Sequence, residues 1–266
     1  LGDVYKRQEF NDGTFVYRVI NEEDKTCEVV NFMLSALKGP DEQITVPGKV
    51  MDGDVTYNVK KIVYCPIRPS SEPSTRYYSV GILTFSEGIE EICANSCESV
   101  DVKHVVFPRS LRTIGKNAFY DSYGLRRIDM KDSIEYIDDG AFGISGDKLS
   151  YKQVYINSQI PPKTHRYAFR RDYRDDLDNQ LNDSYSLSAL YIPRGSKERY
   201  MSTEPWNIFP KIQEKILPRL DDGKEHREFN DGAYIYRVIS EDDNTCEVIG
   251  VLMDRVGKKF GIYQTI

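Results

Sequence analysis

Few residues in this chain combine the type and the spacing that chemistry requires. Cys93 and Cys97 stand four positions apart, a spacing that could hold a metal ion or form a redox pair, but no histidine or third cysteine accompanies them. The acidic segment 172–183 contains Asp176 and Asp178, which alternate as in a calcium-binding loop. Because the segment lacks the turn glycine and the distal glutamate of such a loop, the sequence favours a solvated insertion there.

Patterns typical of enzymes are missing from the sequence. The histidines His104, His165 and His226 are too scattered to suggest a zinc site or a catalytic triad. The chain also has no Gly-x-Ser-x-Gly, His-Glu-x-x-His or phosphate-binding motif. We therefore expect no enzymatic activity, no metal and no cofactor.

The composition limits the classes of partner. A net charge of −6 argues against a nucleic-acid partner, which would need a basic stripe on the protein. An apolar content of 39% suits a globular or solenoid chain, and no apolar stretch approaches the length of a membrane span. Five cysteines cannot all be paired with one another, so a complete disulfide framework is excluded.

A short phrase that ends in Ala-Phe recurs through the middle of the chain. The segment 105–119 returns as 128–142, and an earlier copy begins at Leu83 with nearly the same spacing. A fixed period of this length is typical of a solenoid, in which stacked units share one continuous core because a single unit cannot bury its apolar stripe. Cys97 falls in the phenylalanine position of the earlier copy. The residues assigned to the core are Leu83, Phe85, Val105, Phe107, Ile114, Phe119, Ile128, Met130, Ile137, Phe142, Phe169 and Trp206.

The units at both ends of the repeat region depart from the pattern. After Ile62 the segment 64–73 lacks the Ala-Phe phrase, so we expect a loop there. A polar insertion follows Phe169, and the final strand at 190–193 leads to a short helix and Trp206. Solenoids need atypical units at their ends, so this last segment is predicted to cap the coil.

A longer repeat defines the domain organisation. The segment 9–29 returns as 228–248, and both copies read as a β-hairpin that opens a module. We therefore expect a fragment of a tandem array, divided as follows: a β region with a loop at 9–79, a solenoid with its cap at 80–218, a linker at 219–227 and the truncated start of a second module at 228–266. Residues 1–8 resemble a translated sequencing-library adaptor, and we expect them to be non-native and to take no part in the fold.

The segment FPRSLRTIGKNAFYDSYGLRRIDM, residues 107–130, resembles the consensus of the BspA-like leucine-rich-repeat surface proteins of bacteria. The hairpin at the start and the segment 190–206 resemble the flanks that such repeats carry. The resemblance implies a strand-rich α/β solenoid, a right-handed leucine-rich-repeat coil with an N-terminal β-hairpin region and a C-terminal cap. It also implies a secreted or cell-surface location and adhesion to a protein or glycan of a host or neighbouring cell.

The outward positions of the repeated strands are the candidate binding residues. Tyrosine and arginine on a solenoid sheet favour protein contacts. The loops 64–79 and 170–186 compete for the same role, since insertions often carry function. Two alternatives remain: a carbohydrate-binding module with Tyr155 and Tyr191 as its aromatic platform, and a structural stalk in a larger surface protein. The candidate residues are His104, Val106, Arg127, Asp129, Gln153, Tyr155 and Tyr191.

Overall fold

The computed structural model describes nine stretches of the chain and divides them between two units. Unit 1 covers residues 1–216 and unit 2 covers residues 217–266. The described residues are 8–37, 41–67, 80–145, 152–169, 171–172, 187–215, 228–230, 234–240 and 245–251.

Unit 1 is built around two large sheets, whose strands we number in chain order. One sheet has nine strands: β1 (Glu9–Asn11), β2 (Phe15–Asn21), β3 (Thr26–Phe32), β5 (Lys49–Asp52), β6 (Val55–Ile62), β8 (Glu91–Ile92), β10 (Thr113–Ile114), β12 (Tyr136–Ile137) and β15 (Lys163–Thr164). The other has seven strands: β4 (Glu42–Val46), β7 (Val80–Phe85), β9 (Val102–Val106), β11 (Arg127–Met130), β14 (Lys152–Ile156), β17 (Leu187–Pro193) and β18 (Ile212–Lys215).

Successive coils of the chain place one strand in each sheet. In the seven-stranded sheet every neighbouring pair is parallel, and Leu83 pairs with Val105, which pairs with Ile128. In the nine-stranded sheet Ile114 pairs with Ile137 in the same way. These pairings join the residues that occupy equivalent positions in successive copies of the repeated phrase. The prediction of a strand-rich repeat solenoid is therefore confirmed.

The phenylalanines of the Ala-Phe phrase form a column through the core. The rings of Phe119 and Phe142 lie 5.5 Å apart and nearly parallel, and those of Phe142 and Phe169 lie 5.6 Å apart. The backbone N–H groups of Phe119 and Phe142 donate to carbonyls of the next coil, for example Phe142 N to Ala168 O at 2.7 Å. All twelve predicted core residues are buried.

Helical structure in the described stretches is confined to short segments. The described helices are α1 (Lys197–Met201) and two 3-10 turns, Leu34–Ala36 and Trp206–Ile208. Trp206 is buried, and its ring meets the edge of Phe169 at 5.5 Å, so it packs on the last phenylalanine of the column.

The segment 64–67 departs from the expected plain loop. It has no regular secondary structure, yet Cys65 and Ile67 are buried. Cys65 N donates to Ser96 O at 2.7 Å, the same backbone bond that Cys97 N makes to Ala118 O one coil further on. Cys65 therefore occupies the phenylalanine column. The sequence concealed this because Cys65 follows its strand, which ends at Ile62, more closely than the other column residues follow theirs. Residues 68–73 lie outside the described part.

Two further expectations are corrected. Gln8 belongs to the fold, because its carbonyl accepts the Val19 N–H at 3.0 Å and its Nε2 donates to Asp52 at 2.9 Å. Arg171 and Asp172, which the sequence assigns to the polar insertion, form strand β16 (Arg171–Asp172), which pairs with β13 (Ile144–Ser145). Residues 1–7 and 173–186 lie outside the described part.

Unit 2 repeats the opening hairpin. Its strands are β19 (Glu228–Asn230), β20 (Tyr234–Ser240) and β21 (Thr245–Val251), paired antiparallel in that order. The register between β20 and β21 shifts at positions 235/236 and 238/240, and the register between β2 and β3 shifts at the equivalent positions 16/17 and 19/21. The repeated sequence thus specifies the irregularities of the hairpin as well as its strands.

Replacement of Phe142 by alanine is expected to lower the free energy of unfolding by about 3–5 kcal/mol, because the ring packs between two others and its loss leaves a cavity. Denaturant unfolding measures this. Ile160→Ala is the control, since Ile160 is 68% exposed and should change stability by less than about 0.5 kcal/mol. Equal free energies of unfolding for the two variants would contradict the packing of Phe142 in the phenylalanine column.

Candidate binding surface

The seven candidate residues lie together on the outer face of the seven-stranded sheet. Side chains alternate between the two faces of a strand, so the burial of Ile128 and Met130 turns the residues between and beside them outward. The strand register then aligns the outward residues in two neighbouring rows across the sheet. One row is His104, Arg127 and Gln153; the other is Val106, Asp129, Tyr155 and Tyr191.

Asp129 holds the centre of this face. Its carboxylate is 4% exposed and receives Arg127 Nε on Oδ1 at 2.8 Å and Arg127 Nη2 on Oδ2 at 2.9 Å. The ring nitrogen Nε2 of His104 lies 3.0 Å from the same Oδ2. Burial alone would raise the pKa of Asp129, but the hydrogen bonds from His104 and Arg127 outweigh it and hold that pKa below its ordinary value. Asp129 therefore positions Arg127 and is not itself open to a partner.

An aromatic and cationic stack continues from Arg127 across the next strands. The Arg127 guanidinium lies 4.2 Å from the centre of the Tyr155 ring, which stacks on Tyr191 at 4.3 Å. The ammonium of Lys215 lies 3.9 Å from the centre of the Tyr191 ring and 5.6 Å from that of Tyr155. Cation–π contacts of this kind attract long basic side chains to the faces of the rings.

The tyrosine pair offers little open ring surface. Tyr191 is 8% exposed, and Tyr155 is approached by Arg127 from one neighbouring strand and by Tyr191 from the other. Sequence alternation correctly places both rings on the outer face. It does not reveal that the rings cover each other, because Tyr155 and Tyr191 are neighbours only across the sheet.

Two lysines lie on this face that the sequence pattern did not predict to be there. Lys131 is the next outward residue after Asp129, and Lys215 lies on the edge strand β18. The same period-2 alternation, extended past the end of β11 at Met130, would have found Lys131. No sequence signal predicted that β18 joins the sheet.

The other chemical candidates do not form sites in the described residues. Cys97 is buried in the phenylalanine column, and burial raises the pKa of the Cys93 thiol to about 12. Among the described stretches no three histidine, cysteine, aspartate or glutamate residues are placed to hold a metal ion. Of the candidate loops, only residues 64–67 and 171–172 are described.

The repeat that builds this face matches a known family. Residues 76–171 match the family described as the BspA type leucine rich repeat region, in six copies. The chain carries a BspA-type leucine-rich-repeat region. In the described part of the chain, no helix is both long and apolar enough to cross a membrane. No curated protein sequence matches the chain.

Three solved structures resemble this chain. The pneumococcal vaccine antigen PcpA is 17% identical with a TM-score of 0.48, over 71% of this chain and 51% of that one. A leucine rich cell surface protein from Faecalibacterium prausnitzii is 14% identical with a TM-score of 0.36, over 77% and 72% of the two chains. A leucine-rich repeat protein from Bacteroides capillosus is 18% identical with a TM-score of 0.35, over 69% and 97%. The chain thus spans about half the length of PcpA.

Asp129→Asn is expected to lower the free energy of unfolding near pH 7 by about 2 kcal/mol, because it weakens hydrogen bonds to a charged, buried carboxylate. The folded-state pKa of Asp129 lies below its ordinary value of 3.8, so its contribution is present above that value and is lost as pH falls through the folded pKa. The gap between wild type and variant should therefore close below about pH 4.

Unfolding midpoints measured from neutral pH down to about pH 2 test this. Asp132→Asn is the matched control, because Asp132 is exposed and neighbours the same strand. A wild-type advantage over Asp129→Asn that persists unchanged in acid contradicts the assigned network.

Proposed function

We propose that this chain is a non-enzymatic protein-binding module that contacts its partner through the outer face of the seven-stranded sheet. The observation that supports this most directly is the fixed position of Arg127, held by both carboxylate oxygens of Asp129 and by the Tyr155 ring. Binding costs free energy when flexible side chains must be ordered, so a surface that is already ordered binds more tightly. Arginine and tyrosine are also the residues that most often dominate protein interfaces.

We further propose that the module acts in adhesion outside the cell, at the bacterial surface. The BspA-type repeat supports this location through the family resemblance. The repeated hairpin of unit 2 supports an arrangement of several modules in series, and such an array could also serve as a stalk. The partner would then be a protein of the host or of a neighbouring cell.

The alternative of a carbohydrate-binding module has weaker support. Sugars stack on an open aromatic face, and Tyr155 and Tyr191 are stacked on each other at 4.3 Å with Tyr191 only 8% exposed. A glycan could still meet polar edges of this face, so glycans belong in the test.

For the fold, we propose a right-handed coil with a C-terminal cap. Parallel strands joined by a crossover are right-handed in nearly all proteins, and the seven-stranded sheet is parallel throughout. The cap would be the segment from α1 to Phe209, in which Trp206 and Phe209 both meet the ring of Phe169. Without such a segment the end of the phenylalanine column would face water.

Arrays of extracellular proteins and of glycans, probed in parallel with the purified chain, test the proposed function. We expect binding to one or more proteins, and the double variant Arg127→Ala/Tyr155→Ala should weaken that binding about 10-fold or more. The control is Arg112→Ala/Tyr136→Ala, which removes the same two residue types beside the nine-stranded sheet.

Three results would each count against the proposal. Binding to glycans alone favours the carbohydrate alternative. Equal loss in both double variants assigns the binding to another surface or to general destabilisation. No binding on either array favours the stalk. Circular dichroism and unfolding midpoints of each variant show whether the fold is retained.

A further inference from the structure

The outer face carries positive charge on a protein that is negative overall. Among the outward positions of β9, β11, β14, β17 and β18 in the described part, the one carboxylate is that of Asp129, and Arg127 already pairs with it. Lys131 and Lys215 add two further cations to the face. The chain as a whole has a net charge of −6. A face of opposite sign to its protein attracts partners of complementary charge and orients them.

Lys131 is a buried cation that forms no ion pair with any described residue. It is only 6% exposed, and no described residue gives it a hydrogen bond or an ion pair. Its Nζ is not among the completely buried side-chain nitrogens that lack a hydrogen-bond partner, so part of the ammonium stays accessible while the stem is packed. A carboxylate arriving from outside would therefore find a charge that is already largely desolvated, which favours a strong charge-assisted hydrogen bond.

Burial and the neighbouring charges together set the pKa of Lys131. Burial and the nearby Arg109 lower the pKa of Lys131 to about 8, against the opposing effect of Asp129, Glu87 and Asp132. These groups come from its own strand and from the turns after β7 and β9. An added anion would raise the pKa again, so its binding takes up a proton near pH 8.

Lys215 completes the arrangement. It is exposed and lies over the tyrosine pair, and no described residue forms an ion pair with it. The backbone of Lys215 lies three strands from that of Lys131, about 14 Å across the sheet. The backbone of Arg127 lies about 13 Å from that of Lys131 along the strand. The three cations thus surround the tyrosine pair.

We infer that the partner of this face is an acidic protein segment whose carboxylates are received by Lys131 and Lys215, and by the Nη1 group of Arg127 that Asp129 does not use, around the Tyr155–Tyr191 pair. The inference rests on the proposed function and names the chemistry of its partner. A nucleic acid fits less well, because the cations form a compact triangle and not the long basic stripe that a phosphate backbone requires.

A fluorescein-labelled peptide of eight glutamates tests the inference by fluorescence anisotropy at low salt, with the whole chain. We expect Lys131→Gln and Lys215→Gln each to weaken binding about 3- to 5-fold, and added salt to weaken it further. Wild-type affinity should fall as pH rises from about 6.5 to about 9.5, through the pKa of Lys131. Lys131→Gln should lose that pH dependence. The control is Lys116→Gln, which removes an exposed charge beside the nine-stranded sheet.

The outcomes separate this inference from the proposed function. Failure of the glutamate peptide to bind overturns the inference, as does an affinity that Lys131→Gln and Lys116→Gln reduce equally. Tighter binding of a single-stranded oligonucleotide of equal charge overturns it in favour of a nucleic acid. If protein targets on the array still depend on Arg127 and Tyr155 in any of these cases, the proposed function stands.

A second inference comes from the two cysteines of the phenylalanine column. Cys65 and Cys97 occupy the same position in successive coils, because Cys65 N donates to Ser96 O as Cys97 N donates to Ala118 O. Neighbouring backbones joined by such hydrogen bonds lie about 4.8 Å apart, within the Cα separation that a disulfide spans. Both thiols are free in this structure and fully buried.

We propose that Cys65 and Cys97 form a disulfide when the chain folds in the presence of a small disulfide such as oxidised glutathione. The two S–H bonds break, the S–S bond forms, and the hydrogens pass with two electrons to give two reduced glutathione molecules. The bond would tie the N-terminal β region to the first regular coil. It has to form during folding, because the buried thiols exclude the oxidant afterwards.

Refolding in a glutathione buffer, followed by peptide mapping, tests this. We expect the chain to lose two of its five thiols, a peptide that joins Cys65 to Cys97, and a melting temperature higher by about 5–10 °C than that of the reduced chain. Cys93→Ser should retain the bond and Cys65→Ser should lack it. Five remaining thiols, or a bond that uses Cys93, overturn the proposal.

Discussion

The structure depends on the fact that no single coil can bury its own apolar residues. A coil contributes strands as short as β10, which spans only Thr113 and Ile114, and such strands are stable only when neighbouring coils complete their hydrogen bonds. The backbone bonds between coils set the spacing at which the phenylalanine rings stack. Packing and hydrogen bonding therefore enforce the same register, and loss of one ring destabilises the coils on both sides.

The same stacking builds the outer face. Residues from different coils, far apart in sequence, become direct neighbours, so Arg127 lies beside His104 on one side and Tyr155 reaches Tyr191 on the other. A row of this kind behaves as a unit. Asp129 neutralises Arg127 and binds His104, and the fixed guanidinium then supports the tyrosine pair. Because Asp129 is already bonded to Arg127, Lys131 and Lys215 form no ion pair with any described residue.

The sequence predicted the coil, its core and the direction of most side chains on the repeated strands. These follow from the alternation of side chains along a strand and from the regular return of the Ala-Phe phrase, and both are visible in one sequence. The predicted core from Leu83 to Trp206 is buried, and the candidates from His104 to Tyr191 share one face. The match to the BspA-type repeat over residues 76–171 rests on the same pattern.

Only the tertiary structure decided how neighbouring coils meet. Cys65 enters the phenylalanine column through a shorter connection than the other column residues, and Arg171 pairs with β13 although its own segment reads as a polar insertion. The burial of Asp129 and the mutual cover of the two tyrosines depend on side chains of adjacent strands. Sequence periodicity assigns a residue to a face, but the lengths of the connections and the contacts across strands determine which side chains touch and which charges stay unpaired.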